Sequence, residues 1–178
     1  LSDGTNSRYA NMYYIEGTTT GYDSGFDGKL FGGVSHAFAI YSHLVTNDEG
    51  VKYQLQSLPN SDYENMIVPI GVIATAGKEI TFTAEALNLP SGIKVFLEDR
   101  QLNTFTRLDE VNAIYQVVLE EASNEAGRFY LHTASKALST DTETLNSISI
   151  YKTDNNRLRI AGLQNGTAKI NVFTMLGK

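Results

Sequence analysis

An all-β fold, an antiparallel β-sandwich followed by a truncated immunoglobulin-like β-sandwich module, is what this chain predicts, and three observations carry that reading. Thr, Tyr, Val, Ile and Phe supply 57 of the 178 residues, the side chains that suit a pleated, half-buried surface. Short apolar runs recur at close intervals with Gly, Pro, Asn and Asp between them, the rhythm of a sandwich. At 42% hydrophobic, the chain can also bury a substantial core.

The first 35 residues are rich in Gly, Ser, Thr, Asn and Asp, and their one strand candidate is 9–16, with Tyr9, Tyr13 and Ile15 spaced mostly for one face. Residues 17–29 read as loop. Strands are then expected at 37–42, 51–58, 66–74, 79–86, 94–99, 114–119 and 128–133. Thr46-Asn47-Asp48-Glu49-Gly50, Leu58-Pro59-Asn60, Ala76-Gly77-Lys78 and Leu89-Pro90-Ser91-Gly92 hold residues that preset or tolerate turn dihedrals, so consecutive strands can fold back antiparallel. Residues 107–122 carry two patterns. Leu108, Val111, Tyr115, Val118, Leu119 and Ala122 recur at helical spacing, whereas the β-branched and aromatic run Ile114, Tyr115, Val117 and Val118 favours a strand at 114–119, which is the reading adopted.

Residues 1–133 therefore form a first domain, a stalk or spacer sandwich, and the polar stretch 134–146 a linker. From 147 a second module begins, with strands expected at 147–151, 158–162 and 167–175. Gln164-Asn165-Gly166 joins the last two through a tight-turn signal. Three strands are too few for a sandwich of about 100 residues, so the module is expected to be truncated. The chain opens at Leu1 and closes at Lys178 just after a strand-like run, which suggests a piece of a larger protein.

The absence of cysteine excludes a disulfide scaffold and a Cys-ligated zinc site. A net charge of −6 with no Lys/Arg cluster argues against nucleic acid. No apolar run is long enough for a transmembrane helix, and no signal peptide is evident.

Catalytic motifs are missing. There is no G-x-S-x-G, no H-E-x-x-H and no Gly-rich phosphate loop. Ser91-Gly92-Ile93-Lys94 spells S-x-x-K but sits in a turn. His36, His43 and His132 are expected at the surface. Glu98-Asp99, Asp109-Glu110 and Glu120-Glu121 are neighbours that would face opposite ways on a strand and so could not share a substrate. The one cluster of oxygen ligands is the loop holding Asp23 and Asp27, a calcium candidate that lacks the EF-hand spacing. The preferred reading is that both carboxylates hydrogen-bond the loop backbone while Tyr22 and Phe26 pack down as anchors. No enzyme activity, metal or cofactor is expected.

Gly21-Tyr22-Asp23-Ser24-Gly25-Phe26-Asp27-Gly28-Lys29, Ala39-Ile40-Tyr41-Ser42, Gln56-Ser57-Leu58-Pro59, Val68-Pro69-Ile70-Gly71, Val95-Phe96-Leu97-Glu98-Asp99 and Arg128-Phe129-Tyr130-Leu131 follow one another along the chain. In order and spacing they resemble the successive signatures of a β-sandwich that often precedes the tail of large secreted proteins from Bacteroidota. Ile148-Ser149-Ile150-Tyr151, Asn156-Arg157-Leu158-Arg159-Ile160 and the stretch from Ala168 to Lys178, ending Val172-Phe173-Thr174-Met175-Leu176-Gly177-Lys178, resemble the first half of the type A C-terminal sorting domain of the type IX secretion system. The chain departs from that pattern where a Pro-Asn-Pro turn is usual. Lys152-Thr153-Asp154 stands there, so the turn falls to Asp154-Asn155-Asn156. The later strands of the domain, with a Gly-x-Tyr and a basic terminal run, are missing.

The resemblance implies a non-catalytic, exported cargo, secreted or held at the cell surface after passage through the periplasm and outer membrane, with an adhesin as one fitting kind. Its partners would be the outer-membrane type IX translocon and a carrier β-barrel. The residues implied in partner binding are Ile148, Ile150, Tyr151, Leu158, Ile160, Val172, Met175, Leu176, Gly177 and Lys178. The alternative is a carbohydrate-binding or accessory sandwich of a secreted enzyme, favoured by ten tyrosines and weakened by the lack of tryptophan.

Overall fold

The computed structural model describes residues 1–136, 149–154 and 157–161, and the chain divides into two compact units, Leu1–Thr140 and Asp141–Lys178. The first unit holds β1 (Asn11–Ile15), β2 (Gly28–Lys29), β3 (Ala39–Ser42), β4 (Tyr53–Pro59), β5 (Ile67–Ile73), β6 (Glu79–Phe82), β7 (Lys94–Asp99), β8 (Thr104–Arg107), β9 (Tyr115–Val118) and β10 (Phe129–Ala134), with one 3-10 turn at Tyr63–Asn65. The second holds β11 (Ser149–Asp154) and β12 (Arg157–Ala161). The described residues are all-β, and residues 115–118 form a strand, as the β-branched run predicted.

Eight strands of the first unit make one sheet in the order β1-β4-β3-β5-β10-β7-β8, with β2 also paired to β4. Every pairing is antiparallel except one. β1 runs parallel to β4, Asn11 opposite Leu55 through Ile15 opposite Pro59, so the sheet is mixed rather than antiparallel throughout. Parallel neighbours need a crossover instead of a hairpin, and here the chain between them contributes β2 and β3. The last strand of the unit, β10, enters between β5 and β7. β6 and β9 form a separate antiparallel ribbon, Glu79 opposite Val118 to Phe82 opposite Tyr115.

Alternation sorts the large sheet into two faces. Val68, Ile70 and Val72 on β5, Leu97 on β7 and Phe129 on β10 point inward, and Ile80, Phe82 and Leu119 from the ribbon join the same buried cluster. The ribbon therefore lies over the sheet, two layers around one core. Phe82 and Phe129 meet across the layers with ring centres 4.8 Å apart.

Two strands lie outside the sequence expectation. β2 falls in the stretch read as loop, and it is only two residues long, with a bulge opposite β4. β8 is a four-residue edge strand joined to β7 by a tight reversal. There Asp99 Oδ1 accepts the amides of Gln101 and Leu102, and Asn103 takes a left-handed φ of 52°.

In the second unit, β11 and β12 pair antiparallel with Ile150 opposite Ile160, Tyr151 opposite Arg159 and Asp154 opposite Arg157. Asn155 and Asn156, expected to turn with Asp154, lie outside the described residues. The strand expected at 167–175 lies outside the described residues, as does most of the linker. Ala134, assigned to the linker, ends β10.

Candidate functional site

Of the residues that the resemblance implies in partner binding, Ile150 and Tyr151 lie on β11 and Leu158 and Ile160 on β12, with Ile150 opposite Ile160, Tyr151 opposite Arg159 and Leu158 opposite Lys152. Ile148, Val172, Met175, Leu176, Gly177 and Lys178 lie outside the described residues.

In the Asp loop, both carboxylates serve the backbone. Asp23 accepts the Thr19 amide at 2.6 Å and the Thr19 hydroxyl, while Asp27 Oδ2 takes the Asp23 amide at 2.7 Å. Asp27 Oδ1 takes the Ser57 amide at 2.7 Å, and the Ser57 hydroxyl donates to the Phe26 carbonyl. Gly28 pairs with Leu55, so Asp27 caps β4 where β2 would otherwise have continued the ladder. Tyr22 packs in part, its ring centre 6.2 Å from that of the buried Tyr53, but Tyr22 and Phe26 are each about half exposed, so they anchor the loop less than expected.

Two histidines correct the sequence reading. His132 and His43 are buried, each 8% exposed. His132 lies on the outer face of β10, yet the Phe105 ring of β8 meets it edge-on at 5.3 Å, and Glu98 Oε2 of β7 sits 2.8 Å from its Nε2. Neighbouring strands that the sequence did not order cover it. His43 Nδ1 donates to Asp48 Oδ2 at 2.8 Å, and Nε2 is buried with no hydrogen-bond partner among the described residues. His36, half-buried, meets the Phe31 carbonyl through Nε2 at 2.7 Å.

The adjacent carboxylates divide in two ways. Glu98 faces out to His132 and Arg100, whereas Asp99 faces in and accepts from Tyr115 at 2.7 Å and from Arg128 Nη2 at 2.7 Å. Burial pushes the Asp99 carboxyl up, but the Arg128, Tyr115 and Leu102 hydrogen bonds outweigh it and hold the group below the usual carboxylate range. Burial and the bond to Asp99 push the Tyr115 phenol up to about 12. Asp109 and Glu110 contradict the expectation, since both reach the Arg107 guanidinium, at 2.9 and 2.8 Å. They lie beyond the end of β8, where strand alternation no longer separates them. Ser91-Gly92-Ile93-Lys94 is an ordinary turn: Ile93 N bonds the Pro90 carbonyl, and Lys94 Nζ bonds the Ser135 carbonyl.

Sequence reasoning missed a groove of about 460 Å³ beside the start of β4. Lys29, Phe31, Ser35, His36, Lys52 and Asn124 are among the residues that line it. Lys52 Nζ donates to both the backbone and the side-chain oxygen of Asn124 at 2.8 Å and lies 4.7 Å from the Tyr41 ring centre. No spacing signal announces it, because Lys52 and Asn124 are 72 residues apart.

These features define an all-β, sandwich-like protein. No family model, curated protein or solved structure matches the chain.

Proposed function

We propose that the chain is a non-catalytic C-terminal part of a secreted or cell-surface protein, an adhesin being one fitting kind, and that its second module is a type IX secretion sorting signal. The observation that carries the reading is the ordered run of motifs ending in Val172-Phe173-Thr174-Met175-Leu176-Gly177-Lys178. The division into two units and the β11–β12 hairpin support it. The first unit acts as a stalk that displays what precedes it. The second is read by the outer-membrane translocon and its carrier β-barrel, through strand faces and edges.

Fusion to an exported reporter in a bacterium with a type IX system tests the assignment. Residues from 147 onward, continued with the strands that the resemblance expects after Lys178, should bring the reporter to the surface. Residues 1–133 alone should leave it in the periplasm. Surface delivery by residues 1–133 would overturn the sorting assignment and make the first unit the signal.

A further inference from the structure

The protein is acidic, with a net charge of −6, yet the groove beside β4 gathers two lysines and no carboxylate. Lys29 comes from β2, which pairs with β4, and Lys52 precedes β4, where its carbonyl accepts the Leu30 amide at 2.8 Å. Among the described residues neither ammonium has a carboxylate within ion-pair distance. Lys78, in contrast, lies in a separate hollow of about 330 Å³ with Asp3 3.8 Å away. Lys52 spends two of its three N–H groups on Asn124, so one donor and the charge remain. Glu125 follows Asn124 in the chain and acts on the Tyr41 hydroxyl, but it is not among the groove's lining residues.

The rest of the lining narrows the ligand. The Phe31 ring is 70% exposed at the rim, held there by the bond between His36 and its own carbonyl. Val34, also lining the groove, is 57% exposed, so the two together offer an apolar surface to a ligand beside the lysines. Ser35, His36 and Asn124 add further hydrogen-bonding groups. A carboxylate to meet the lysines, a flat body to lie on Phe31 and hydroxyls for these polar groups together describe an acidic sugar.

We infer that this groove binds the uronic acid units of an acidic polysaccharide, with Lys29 and Lys52 on the carboxylate and Phe31 against the sugar ring. The inference stands apart from the sorting assignment, since it concerns the first unit alone. Titration calorimetry of the full chain with short oligogalacturonides tests it. Binding should weaken about tenfold in Lys29→Gln and in Phe31→Ala, weaken further as salt is raised, and be absent for neutral glucans of the same length. Lys52→Gln should behave like Lys29→Gln, but it also removes contacts to Tyr41 and Asn124, so the two exposed variants decide the outcome. No binding, equal binding of neutral and acidic oligomers, or affinity unchanged in both Lys29→Gln and Phe31→Ala would overturn the proposal. Tighter binding of short peptides ending in a free carboxylate would overturn the sugar assignment in favour of a protein terminus.

Discussion

Gly71 and Tyr41 stand opposite each other on β5 and β3, and the ring lies where a Cβ at position 71 would sit. The glycine is needed for space, since the Tyr41 ring is fully buried and its hydroxyl is tied to the Asn124 carbonyl at 2.8 Å. Gly71→Ala should cost about 3 kcal/mol through overpacking, read as a lower denaturant midpoint with an unchanged slope. Asp99 makes a second prediction. Its pKa is depressed in the folded state, so its contribution is fully present above the unfolded value of about 3.9 and is lost as pH falls through the folded value. Asp99→Asn should lower stability at neutral pH and flatten the acid limb of a stability-against-pH curve. An acid limb identical to that of the parent chain would show that other carboxylates govern it.

The elements were legible where apolar alternation ran for five residues or more. β5, β7 and β10 appear close to their expected places because Val68, Ile70, Val72, Leu97 and Phe129 point inward, whereas β4 places Leu58 in the core with a buried Gln56 two residues before it. β8 escaped because Thr104-Phe105-Thr106-Arg107 offers a single apolar residue, although Asp99 and Asn103 around the reversal were a usable turn signal. The ambiguity at 107–122 was real in the sequence. Val111, part of the helical pattern, is 91% exposed, and pairing with β6 decides for a strand. Burial of His43 and His132 was not legible, because what covers them comes from partners whose order the sequence does not state. The cap on β4 was half legible: Asp27 was expected to serve its own loop, and it also holds Ser57. Asp27→Ala should cost about 2 kcal/mol by leaving the Ser57 amide without its acceptor. Loss of hydrogen-exchange protection confined to Ser57 and its neighbours would locate the effect.

The two units permit a test at the scale of the molecule. Residues 1–140 contain the whole first core, so they should fold alone, and their thermal transition should match the one assigned to that unit in the full chain. A fragment that melts without cooperativity would show that its stability depends on the second unit.

β10, the last strand of the first unit, is central in its sheet rather than at an edge. Until residues 129–134 arrive, β5 and β7 present bare edges to each other, and Leu97 and Val68 lack Leu131 between them to complete their row. The sheet is thus closed by the last strand of the unit in chain order, so cooperative folding of the first unit waits for β10. The same feature makes interrupted synthesis hazardous, because a chain stopped at residue 125 exposes two edges suited to pairing with other copies of itself.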